Sequence, residues 1–152
     1  MTELPAPPPE TPHAWVDEVD GTIIAAGQCL VSNIDLQRLP AGATRHGITL
    51  EQYPAIQAQV RSFCVVEGMV VPREATSMAL SATSIAADGE AEVTLSGIPD
   101  GALLRTRGAA TLPWTAITGG VASFTASVPG LVMIEVRCPA PHADWIGEFH
   151  AV

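Results

Sequence analysis

Four residues near the C-terminal end are of the types that hold divalent metals. His142, Asp144, Glu148 and His150 fall close together, and on an extended strand Asp144, Glu148 and His150 share one face. A carboxylate and a histidine two residues apart on a strand stand about 7 Å apart, a spacing a divalent cation could use. Nothing upstream supplies an obvious further ligand, so a solvated polar face is the expectation and a small metal-dependent enzyme the third of three readings. The acidic run Asp17, Glu18 and Asp20 lies at a turn, which predicts a solvated acidic tip rather than a general acid/base pair. No G-x-S-x-G is present, and Cys64 sits in an apolar stretch where a thiolate is disfavoured. No glycine-rich loop precedes a helix, so a phosphate cradle is unsupported. The expectation is a protein that is not an enzyme, with no catalytic residue, cofactor or metal.

Of the aromatic residues, Trp15, Trp114 and Trp145 are far apart in the chain and read as core or interface. Trp114, beside Pro113 in a loop-like context, is the candidate ligand contact, a sugar stacked on its ring being the chemistry in view. Cys29, Cys64 and Cys138 are odd in number and widely spaced, without a C-x-x-C pair. They read as reduced small hydrophobes, with a Cys29–Cys64 disulfide as the lesser alternative.

Composition narrows the partners. The net charge is −9, and all seven basic residues are arginine. An acidic chain without a basic cluster is a poor ligand for nucleic-acid phosphates or an anionic membrane surface. Only 15% of residues are charged against an ordinary share of about 25%, while 47% are hydrophobic. That balance suits a protein packed against neighbours. No apolar run reaches the length of a membrane span, and M-T-E-L-P-A-P-P-P-E-T-P lacks the basic and apolar regions of a signal peptide. Synthesis and assembly in the cytosol are expected.

These residues must be positioned by β-structure. Residues 1–13 form a proline-rich arm, with five prolines in the first twelve positions. Residues 14–73 read as a small β-hairpin module. Asp20-Gly21 turns a first hairpin, with Trp15, Val16 and Val19 on one side and Ile23 and Ile24 on the other. Residues 33–39 predict a short helix capped by Ser32 or Asn33 and stopped by Pro40. Thr44–Leu50 predicts a strand, Pro54 interrupts the helical pattern after it, and Glu67-Gly68 turns a second hairpin. A domain boundary is expected at residues 72–77. Residues 78–152 predict about seven strands, the count of an immunoglobulin-like β-sandwich without the usual disulfide. They are Ala79–Ile85, a strand around Val93, Ala102–Arg107, one holding Trp114, the hairpin Val121–Cys138 folded at Pro129-Gly130, and Asp144–Val152. Phe124, Ile134 and Val136 are expected to pack against Val93, Leu95 and Trp145.

Two stretches carry a resemblance. A hairpin ending in G-Q-C, then D-L-Q-R-L-P-A-G and H-G, then V-E-G-M-V-V-P-R at Val66 to Arg73, is similar to small structural proteins of tailed phages and prophages. S-I-A-A-D-G-E-A-E-V-T-L-S-G-I-P-D-G-A and S-V-P-G-L-V-M-I-E-V-R look like the Ig-like domain those proteins carry next. Glu74 stands where that pattern often has proline. The resemblance implies a virion component of the tail or an appendage, whose partners are other virion proteins and copies of itself. The second reading is a module that binds carbohydrate or a host surface, with a host-surface glycan as ligand.

Overall fold

The computed structural model describes residues 11–152, so residues 1–10 of the proline-rich arm lie outside the described residues. The protein is mainly β and divides into two compact units at Val71/Pro72.

The first unit is a five-stranded sheet of β1 (Pro12–Val19), β2 (Thr22–Leu30), β3 (Thr44–Ile48), β4 (Phe63–Val66) and β5 (Met69–Pro72), in the order β3-β1-β2-β4-β5. Pro12 takes the first position of β1, a place in a strand that tolerates proline. Both hairpin turns use two left-handed residues, Asp20 (φ 50) with Gly21 (φ 77) and Glu67 (φ 51) with Gly68 (φ 79). That backbone twist matches the twist of paired strands. A bulge in β2 opposite Asp17/Glu18 leaves Ile24 exposed, while Ile23 is buried with Val16, Ile56 and Val65.

Ile56 comes from α1 (Tyr53–Ala58). Pro54 does not interrupt this helix but sits in its first turn, where the missing N–H costs nothing. The expected helix over 33–39 is a 3-10 turn, Val31–Leu36, whose N-cap position is Leu30 rather than Ser32 or Asn33. None of its residues is buried, so it has no packing to sustain α-helical turns.

The second unit is a β-sandwich. One sheet has the order β10-β9-β12-β13-β7 and the other β11-β8-β6. The strands are β6 (Ala79–Leu80), β7 (Ser84–Ile85), β8 (Val93–Ser96), β9 (Leu103–Gly108), β10 (Leu112–Ala116), β11 (Val121–Phe124), β12 (Gly130–Arg137) and β13 (Trp145–Ala151). Between the sheets lies one core that holds Val93, Leu95, Phe124, Ile134, Val136 and Phe149, with Trp145 packed against it. All of these but Phe149 are the side chains expected to meet there.

Two expected connections are different. Val121–Cys138 is not a hairpin: β11 pairs with β8, while β12 pairs with β9 and β13. Alternation places Phe124 and Ile134 on inward faces, and the sandwich buries both by setting their strands in opposite sheets. The chain crosses over at Thr125–Pro129, with Ala126 buried under the crossing, and Phe124 meets Phe149 at 6.4 Å between ring centres. Ala79–Ile85 likewise is two short strands in different sheets. Ser81 holds the first to β8 by donating its N–H to Thr94 O (2.8 Å) and accepting Thr94 N–H on Oγ (2.9 Å). The chain then crosses, and β7 runs parallel to β13.

Arg73 ties the start of this unit to its far loop. It is buried, and Nη1 donates to Cys138 O (2.8 Å) and His142 O (2.9 Å). Next to it, Glu74 N–H donates to Pro141 O (2.8 Å) and Ala143 N–H to Glu74 O (2.7 Å).

Candidate interaction faces

In the first unit, Asp20 is exposed at the turn as expected, but Asp17, the first of the three acids, is buried. Asp17 is 1% exposed and faces Arg45 across the β1–β3 pair. Strand alternation is the cause. Val16 goes to the apolar core, so Trp15 and Asp17 go to the opposite face, where β3 brings Arg45. The guanidinium grips both carboxylate oxygens, Nε to Oδ1 at 2.7 Å and Nη2 to Oδ2 at 2.8 Å, and lies 3.9 Å over the Trp15 ring. The hydrogen bond to Asp17 holds Arg45 above its ordinary pKa, against the opposing effect of desolvation. Beside this pair, Glu18 accepts Gly21 N–H (2.7 Å) and lies 3.3 Å from His46 Nε2.

Arg45 does one thing more. Its Nη1 donates to Gln37 O (3.0 Å), and Nη2 also reaches Arg38 O (3.4 Å). The L-Q-R-L-P loop is thereby tethered by its backbone while its apolar side chains face solvent. Leu36 is 78% exposed, Val31 50% and Leu39 46%. Large exposed apolar side chains on a short, tethered segment make this loop the unit's candidate interaction face.

In the second unit, strand alternation builds a face on the outer side of β10-β9-β12-β13. Trp114, half-buried on β10, carries two guanidinium groups over its ring, Arg105 at 4.5 Å and Arg137 at 4.6 Å. Each such contact contributes about 0.5–1 kcal/mol at an exposed site. Arg105 Nε donates to Glu135 Oε2 (2.8 Å), and Arg107 Nε lies 3.5 Å from Glu135 Oε1. Exposed Leu103, Met133 and Ile146 surround these charges. Aromatic, methionine and arginine side chains on one flat surface are what protein interfaces are enriched in. The ring of Trp114 is engaged by its own chain, so a sugar stacking there competes with guanidinium contacts. The convergence of Arg105 and Arg137 on Trp114 depends on pairing that spans 32 residues of sequence, which no local pattern announces.

The four metal-type residues do not come together. Asp144 Oδ1 accepts Cys138 N–H (2.9 Å), His142 belongs to the loop held by Arg73, and Glu148 and His150 stay on β13. Among the described residues no three of His, Cys, Asp and Glu are grouped to hold a metal ion. None of the three cysteines is in a disulfide, Cys64 and Cys138 being buried and Cys29 partly so, which removes the disulfide alternative. An open cavity of about 310 Å³ lies between Glu74–Ser77, Gly97, Pro99 and His142. No helix among the described residues is long and apolar enough to cross a membrane. The chain matches no protein-family model and no curated protein sequence.

Proposed function

We propose that this protein is a non-enzymatic structural component of a tailed-phage particle, belonging to its tail or an appendage. The first unit is the anchor, and the second, an Ig-like sandwich, projects outward and meets other subunits. The observation that carries the proposal is the tethered loop: the L-Q-R-L-P element, part of the text that resembles phage structural proteins, turns Leu36 and Leu39 to solvent while Arg45 holds its backbone. A loop so arranged supports docking of apolar side chains into a neighbouring virion protein.

Particle proteomics with copy number tests the proposal, together with recombinant Leu36→Asp and Leu39→Asp chains added to particles that lack the protein. The wild-type chain is expected to sediment with particles, and each substitution to weaken retention about tenfold or more, since each removes most of a leucine's burial. A chain that stays strictly monomeric and never copurifies with particles overturns the reading.

A further inference from the structure

We propose that the Trp114 face binds the acidic Asp88–Glu92 loop of a second copy of this chain, head to tail. This goes beyond anchoring, and it names the surfaces by which copies meet.

The Arg137 end of the Trp114 face and the acidic loop lie at opposite ends of the same strand, with Arg107 between them, opposite Met133. At its start, Gly130 of β12 pairs with Ala151, and at its end Arg137 pairs with Leu103. Eight residues of strand separate these ends by roughly 25 Å. The acidic loop belongs to the Gly130 end, because Gly89 N–H donates to Ala126 O (3.0 Å) and Ala87 N–H to Val152 O (2.8 Å). It presents Asp88, Glu90 and Glu92, all exposed, with no arginine within the loop. The Asp88 carboxylate accepts the N–H groups of Ala91 and Glu90, both at 2.8 Å, which lower its pKa and shape the turn.

On the Trp114 face the arginines are not balanced. Glu135 is shared by Arg105 and Arg107, and Arg137 makes no ion pair among the described residues. Glu148 is the other carboxylate on the face, opposite Met133, while Asp100 and Asp144 belong to adjoining loops. A guanidinium stacked flat on an aromatic ring keeps its N–H edge for an acceptor, and a carboxylate matches that fork. One molecule cannot close this contact on itself, because β12 holds the two surfaces apart. A second copy can, and the contact repeats along a row because it is heterologous.

Charge also sets the conditions. Two copies at −9 repel at long range. Near 0.15 M salt the screening length is about 8 Å, which suppresses that repulsion and leaves close pairs. Near 1 M it is about 3 Å, and the exposed pairs weaken.

Sedimentation of the full chain across salt tests the contact, with Arg107→Glu/Arg137→Glu as one variant and Glu90→Arg/Glu92→Arg as the other. Asp88 is left in place because it holds the turn. Association is expected to peak near 0.15 M salt and to fall about tenfold or more in either variant. Mixing the two variants should restore it, a result that a misfolded variant cannot give. A wild-type chain monomeric at about 1 mM, or association that ignores both reversals, overturns the proposal. So does a face whose reversal abolishes only binding to an anionic polysaccharide. Loss of self-association in a chain still found in particles removes this contact alone. A self-associating chain absent from particles removes only the virion reading.

Discussion

Replacing Ile134 with aspartate unfolds the second unit and leaves the first unit's sheet paired. Ile134 is fully buried in β12, with β9 and β13 as its hydrogen-bonded neighbours and the sandwich core around it. Losing a buried isoleucine costs about 2–5 kcal/mol, and burying a carboxyl group without a partner costs several more. The sum is comparable with the whole stability of a domain, about 5–15 kcal/mol. Hydrogen exchange is the measurement. Amides of β8, β9, β12 and β13 should lose protection while those of β1 and β2 keep it. A variant in which the second unit keeps native protection would count against this packing. Simultaneous loss in both units would show that they fold as one.

The second large effect is expected at Arg45. Arg45→Met removes the partner of a buried carboxylate, a change that costs about 3–5 kcal/mol in other buried pairs. The first unit holds about 60 residues in its folded part, a size at which stability is marginal. Urea melts should show its transition shifted far down or absent at neutral pH. Combining Arg45→Met with Asp17→Leu should recover much of the loss, because no buried charge is then left without its partner. The sign of the pH effect follows. In the wild type Arg45 is held above its ordinary value, so its contribution is complete below the unfolded value and disappears only as strongly alkaline pH passes the folded one. An unchanged urea transition in Arg45→Met would refute the claim that this pair holds the unit together.

What could be read from the residues follows from how local each determinant is. Asp20-Gly21 and Glu67-Gly68 announce their turns because a two-residue left-handed turn selects such pairs, and both appear as expected. The alternation of Val132, Ile134 and Val136 assigns faces correctly, since period 2 is a property of one strand. Pairing partners are not such a property. Phe124 and Ile134 belong inward whether β11 and β12 are neighbours or lie in opposite sheets, so the false hairpin and the true crossover share one pattern. Asp17 failed for a related reason. Three neighbouring acids suggest a wet tip, while the arginine that neutralises Asp17 lies 28 residues on. Trp114 was legible as a residue of interest, but the arginines on its ring come from two other strands.

The parallel pair β7–β13 has a mechanical consequence. β7 lies near the start of the second unit and β13 at its end, and they run in the same direction. Tension applied between Pro72 and Val152 therefore pulls the two strands in opposite senses along their own axes. The bonds from His150 N to Thr83 O (2.9 Å), Val152 N to Ile85 O (2.9 Å) and Ala87 N to Val152 O (2.8 Å) are loaded together in shear, not opened one by one. Single-molecule pulling from these two ends should meet a higher rupture force than pulling from points that peel β13 away sideways, and equal forces would show that the pair bears no load. For a subunit held at one end and tugged at the other, the clamp sits on the line of force.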